Sequence, residues 1–309
     1  MPVALAAGGG TERLCLDDAA ARLADARFDP RDEAALAAQA PILAALGRDR
    51  RFLGDLAIAA LVARCAPQAR ASRYSAQVMM LHRGDGWFLR ACLWPAPDDP
   101  VVRAGGLAPF FYGVAHDHDF AFVTLGYHGP GYASDYWERD PALGSAAPGA
   151  AAGLVPAGRR MLGPGELMLY RAHRDVHRQL PAERLSITIN LMAETRGRAP
   201  AVQHRFDPEA DRVTEVLTTT SLTALLPLAA ALGGEEGRAL VAEVGAGHPN
   251  GWARFAALAA AARVAPSRAE RADAFARAAR DADPFVAGLA AEAIATMRAG
   301  ERWVAAAHG

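Results

Sequence analysis

The run HDHDFAFVTLGYHGPGY, residues 116 to 132, carries the side chains best suited to chemistry. His116 and His118 stand one residue apart among aromatic and β-branched residues, a strand signal, and Gly-Pro-Gly closes the run as a tight loop. Successive strand residues face opposite ways. Over residues 110 to 124, Phe110, Tyr112, Val114, His116, His118, Phe120 and Phe122 therefore share one face. Phe111, Gly113, Ala115, Asp117, Asp119, Ala121 and Val123 share the other. Two imidazoles two positions apart can converge on one ion at about 2.0–2.2 Å, whereas burying both without a partner is costly. Asp117 and Asp119 face away and are expected to support the site or meet solvent. A third ligand must come from elsewhere, and GPGELMLYRAHRDVHRQLPAERLSITIN offers His173 and His177 between two strands.

With those residues in view, the sequence resembles the cupin superfamily, whose small β-barrels bind a metal through an H-x-H pair and a later histidine. In that family a Gly-(Asp/Glu) turn leads into an apolar strand, a short loop and the last histidine. Here the corresponding residues are Gly165-Glu166, LMLY, RAHRDV and His177, followed by the strand LSITIN. The resemblance implies His116, His118 and His177 as ligands, with His173 the rival for the third place. A common cupin pattern adds a glutamate four or five residues after the second histidine, where this chain has Phe122 and Val123. The implied site is thus three histidines without a carboxylate, similar to the cysteine-dioxygenase-like branch, with Glu138 able to restore an acid from the next strand. The family further implies Fe(II), or another divalent transition metal, and a mononuclear non-haem iron oxygenase that acts on a small-molecule or peptidic substrate with O2. Two other readings use the same residues. A Lewis-acid isomerase or hydrolase would consume no oxygen, and a non-enzymatic metal-binding regulatory module would bind a partner.

Around this set, Tyr127, Tyr132 and Tyr136 read as a lid or as turn packing. Arg171, Arg174 and Arg178 flank the third histidine and suit a bidentate grip on a substrate carboxylate. Gln179 and Asn190 are expected to hydrogen-bond behind the ligands, and His128 in the Gly-Pro loop is a candidate proton shuttle.

The elements that must position these groups fall into three sections. Residues 1–73 are helical in character, with Asp17 and Asp29 as starts and Gly47 and Pro67 as stops. Residues 74–200 carry strand signals, including a hairpin around Gly84-Asp85-Gly86. Residues 201–309 return to alanine-rich helices, of which 281 to 299 resembles one helix of a HEAT-type repeat. The expected architecture is α+β: a central cupin-type β-barrel, a double-stranded β-helix, flanked by N-terminal helices and a C-terminal α-helical section. The flanking helices could cover the barrel mouth, support a homodimer or recognise a peptide.

Composition narrows the function further. All 33 basic residues are arginine, which removes every mechanism that needs a lysine, from a Schiff base to a P-loop. Cys15, Cys65 and Cys92 are odd in number and widely spaced, so neither a disulfide framework nor a zinc knuckle is expected. The formal net charge of -1 gives no long-range attraction to nucleic acid or an anionic membrane. No apolar run reaches the roughly 20 residues a membrane helix needs, and no basic region precedes an apolar one at the start. A cytoplasmic protein is the expectation.

Overall fold

The computed structural model describes residues 1–66, 77–194, 202–218 and 220–307. The section boundaries expected near 73 and 200, and the stop at Pro67, lie outside the described residues. The chain forms two compact units. Met1–Asp140 with Leu154–Arg196 makes the first, and Pro141–Gly153 with Gly197–Gly309 the second.

In the first unit a short strand β1 (Val3–Leu5) precedes, among the described residues, the helices α1 (Leu16–Asp25), α2 (Glu33–Ala37), α3 (Ala40–Gly47) and α4 (Phe52–Val62). Cys15 caps α1 through its Sγ, which accepts from the Asp18 amide, while Asp17 lies inside the first turn. Asp32, not Asp29, caps α2: its carboxylate accepts from the amides of Ala34 and Ala35. Asp29 instead pairs with Arg31.

The strands follow as β2 (Val78–Arg83), β3 (Trp87–Trp94), β4 (Ala115–His116), β5 (Phe122–His128), β6 (Tyr132–Glu138), β7 (Val155–Leu162), β8 (Leu167–Tyr170), β9 (Asp175–Gln179) and β10 (Ser186–Ala193), with a short helix α5 (Pro100–Gly105) after β3. The expected hairpin is present, with Gly86 in the left-handed region at φ 73°. One antiparallel sheet has the order β1-β8-β5-β10-β3-β2. In the other, β9 lies between β4 and β6, and β6 pairs with β7. Following the chain from β3 to β10, it changes sheet at every step except β6 to β7. That order, β3-β10-β5-β8 and β4-β9-β6-β7, is a jelly roll. The strands remain two sheets instead of closing into the expected barrel.

Strand alternation sorts the first sheet into two faces. Trp87, Leu89, Ala91, Val123, Leu125, Ile189 and Leu191 join Leu23, Leu36, Leu43 and Leu46 of the helices in one core. Phe88, Cys92, Trp94, Phe122, Met168, Tyr170 and Met192 form a second core with Tyr132, Tyr136 and Leu162 of the other sheet. The helices thus cover one face of a sheet whose other face lines the interior. Two Tyr127 groups illustrate the sorting: its ring sits in the helix-side core, and its hydroxyl donates to the Asp49 carbonyl at 2.8 Å.

The second unit carries a hairpin of β11 (His204–Asp207) and β12 (Arg212–Val216). Five helices follow: α6 (Leu222–Leu232), α7 (Gly234–Gly247), α8 (Gly251–Arg263), α9 (Arg268–Ala278) and α10 (Pro284–Ala307). Leu226, Ala230, Val241, Ala257 and Ala260 form the core of α6 to α8. Among the described residues no helix is long and apolar enough to cross a membrane.

Candidate metal centre

The histidine segment is not the single strand expected over 110 to 124. A 3-10 turn occupies Ala108–Phe110, Phe111 adopts left-handed backbone at φ 58°, β4 is only two residues long, and 117 to 121 cross from one sheet to the other. The facing pattern survives the break. Phe110, Tyr112 and Phe122 lie in the core between the sheets with Phe120 packed against it, while Ala121 and Val123 lie in the helix-side core.

The third histidine also sits in a strand, where a loop was expected. On β9, His177 lies directly across from His116 of β4 on one side and from Tyr136 of β6 on the other. Neighbours in register on adjacent strands project from the same face, and this register brings the rings together. The His116–His177, His116–His118 and His118–His177 centroid separations are 4.5, 4.9 and 5.1 Å. Among the described residues, one ligand atom from each of the three lies within 4.8 Å of the others. Nε2 of His118 and Nε2 of His177 are 3.0 Å apart.

The surroundings prepare these rings as neutral donors. His116 and His177 are buried. Burial pushes His116 below the ordinary histidine range. It pushes His118 and His177 well below it, assisted in both by the neighbouring imidazole of His116. His116 Nδ1 donates to the Val114 carbonyl at 2.9 Å, which leaves its Nε2 lone pair for a ligand bond. The Nδ1 of His177 is buried without a hydrogen-bond partner. A shared proton satisfies two nitrogens 3.0 Å apart, but it does not account for a third neutral imidazole turned to the same point. An ion does, and this donor set fits a divalent transition metal.

The other residues expected at the site divide clearly. His173 stays outside the cluster: at φ 55° its amide donates to the His118 carbonyl at 2.8 Å, and its ring lies 3.6 Å from buried Asp117. It supports the loop that carries His118. Glu138 is held by Arg171 at 3.3 Å and does not join the histidines. Arg171 is occupied by Asp175 at 2.7 Å. Arg178, one residue from His177 and so on the opposite face, pairs with Asp135 and covers the Trp137 ring. Arg174 is exposed. None of the three arginines is aimed at the cluster as expected, because each belongs to the outer face or to the β8–β9 turn.

Tyr127 is on the helix side of its sheet, and His128 is exposed at the far end of β5 from Phe122, about 20 Å away at strand rise. Neither can serve as a lid or proton shuttle there. Tyr132 is interior, packed on Trp94 at 4.5 Å. Tyr136 is the tyrosine closest in role to the expectation: its hydroxyl is 2.8 Å from that of Tyr170, and its ring stacks toward His177. Asn190 accepts from Thr124 at 2.8 Å and donates to Cys92, tying the inner face of its own sheet instead of the ligands. Gln179 is buried on the same face of β9 as His177.

Two site residues escaped the sequence reading. Tyr170, at the end of β8, lies 4.9 Å from His177 and stacks on Phe122 at 4.5 Å with planes 5° apart. Arg90 alternates with Phe88, Cys92 and Trp94 on the inner face of β3, and its charge acts on His118. Its signal was present in WFLRACLW, where one guanidinium interrupts a wholly apolar strand.

No known protein-family model matches this chain, and no curated protein does. Solved structures with some likeness include a DMSP lyase at 14% identity, covering 38% of this chain and 47% of that one, TM-score 0.24. A hydroquinone 1,2-dioxygenase complexed with Cd2+ is similar at 12% identity over 41% of this chain and 69% of that one, TM-score 0.26. A cupin-like protein from Thermotoga maritima is similar at 12% identity over 42% and 74%, TM-score 0.23. The chain spans about half the length of the first of these. Likeness of this degree leaves family and activity unassigned.

Proposed function

We propose that the protein is a mononuclear metal enzyme of the interior of the jelly roll, using Fe(II) held by His116, His118 and His177 to oxidise an anionic small molecule or peptide with O2. The observation that carries this reading is the convergence of three imidazoles, two of them buried and that of His118 partly buried, from β4, the following crossover and β9. When bound, the ion supplies the redox chemistry of dioxygen and leaves positions open beside three neutral ligands.

The chain supplies the rest. Arg90 places a fixed positive charge on the inner face near His118, suited to a carboxylate or another anionic group. The Tyr136 and Tyr170 hydroxyls are held neutral, since burial pushes both phenols above their ordinary range. They therefore orient a bound molecule as hydrogen-bonding groups and do not act as bases. Phe122, stacked on Tyr170 and edge-on to His118 at 5.1 Å, keeps water from that side of the rings.

The test is metal analysis of protein purified without oxygen and reconstituted with Fe(II), comparing wild type with His116→Ala, His177→Ala and His173→Ala. Wild type and His173→Ala should retain close to one equivalent, and the other two should lose it. Full metal content in both His116→Ala and His177→Ala refutes the site. Oxygen uptake by the Fe(II) form but not by a Zn(II) form then separates oxidation from Lewis-acid chemistry.

A further inference from the structure

Two arginines follow one another on β7 and face opposite ways. Arg159 is exposed on the outer face, where it pairs with Asp135 at 2.6 Å, and Asp135 also takes Arg178 at 3.2 Å. Arg160 lies opposite Ser134 of β6, between the pairs Tyr132–Leu162 and Tyr136–Gly158. Tyr132, Tyr136 and Leu162 belong to the core between the sheets, so register places Arg160 on the inner face with them. It is half-buried, and among the described residues β7 has β6 on one side and no strand on the other. Arg160 therefore stands at the rim of the interior that holds the histidines.

Nothing on this face neutralises it. Gly158 and Leu162 along the strand, and Tyr132, Ser134 and Tyr136 across from it, carry no charge. One strand further, Ser134 lies opposite Gln179, whose buried Oε1 has no hydrogen-bond partner. The Arg160 side chain makes no hydrogen bond or ion pair with a described residue, and its charge is felt at the Tyr136 hydroxyl. Leaving a half-buried cation without an anion is costly, and Asp135 serves the other face. Tyr136 in turn stacks toward His177, its partner in register on β9. From the backbone of His177 to that of Arg160 is about 12 Å, two strand spacings across and two residues along, which the long arginine side chain shortens.

We propose that Arg160 sets substrate specificity at the histidine site by holding an acidic group at the end of the substrate remote from the metal. With Arg90 taking the acidic group beside His118, the substrate is a linear dianion such as a dicarboxylate, and not a monoacid. A guanidinium suits bidentate contact with the far carboxylate. The inference rests on reading the three histidines as a metal centre.

The test is a calorimetric titration of the full chain, loaded with Zn(II) and checked by metal analysis, with succinate, adipate, suberate and the monoacid hexanoate. Wild type should bind at least one dicarboxylate about tenfold or more tighter than hexanoate. Arg160→Gln should remove that advantage and leave hexanoate unchanged. Arg159→Gln removes the same charge from the outer face and should keep the advantage. Metal content and thermal unfolding verify that both variants are folded. Zn(II)-loaded wild type without the preference, a preference that survives Arg160→Gln, or equal losses in the two variants overturns the inference and leaves the metal centre standing. Wild type that takes up no Zn(II) refutes the metal centre, and the inference with it.

Discussion

Metal-free protein should lose stability steeply as the pH falls below the ordinary histidine value of 6.5, and His177→Gln should remove about a third of that slope. Burial depresses the pKa of His116, His118 and His177 in the folded state, whereas each titrates near 6.5 in the unfolded chain. Above pH 6.5 both states hold these rings neutral, and the stability is fully present. Below it the unfolded chain takes up protons that the folded chain refuses, and stability is lost as the pH falls toward the depressed folded values. Each such proton contributes a slope of about 1.4 kcal/mol per pH unit, or about 4 kcal/mol per unit for three rings once the unfolded chain is charged. Removing one buried ring should therefore flatten the curve by about 1.4 kcal/mol per unit. Urea titrations in chelator between pH 7.5 and 5, read by hydrogen exchange in β9 and β10, report this unit separately from the helical one. Identical pH slopes for wild type and His177→Gln would show that these rings are not held neutral by burial, and the electrostatic account of the site would fail.

Three further outcomes follow from single contacts. Arg90→Met should leave metal content intact and raise KM for an anionic substrate roughly 10- to 100-fold, the worth of a charged hydrogen bond; an unchanged KM removes Arg90 from the site. Tyr136→Phe breaks the 2.8 Å contact with Tyr170 and should cost about 0.5–1.5 kcal/mol in chemical denaturation. Gly126→Ala places a Cβ 2.0 Å from the Gly163 carbonyl oxygen, a backbone atom that cannot swing aside. It should destabilise the first unit by about 1–3 kcal/mol, and a neutral result in thermal unfolding would contradict the close approach of β5 to that turn.

Local regularities made much of the site readable. The facing of His116 and His118 followed from side-chain alternation, which held even though the strand itself breaks, because the crossover from 117 to 121 preserves which side each residue presents. The hairpin at Gly84–Gly86 was legible because a turn flanked by apolar runs carries its own local chemistry. Arg171 and Arg178 depart from the expectation because nearness in sequence to His177 is not nearness in space. Strand parity sends Arg178 to the opposite face, and Asp175 captures Arg171.

By itself the sequence determined which histidines are available as ligands, the absence of lysine mechanisms, and the shared face of His116 and His118, all properties set within a few residues of chain. Tertiary structure alone decided which distant groups share that face. The register of β9 between β4 and β6 places His177 opposite His116 and Tyr136, and β3 and β8 bring Arg90 and Tyr170 to the same interior. Such partners are selected by pairing between strands far apart in the chain, and a one-residue slip in that pairing would have turned His177 outward and Arg178 in.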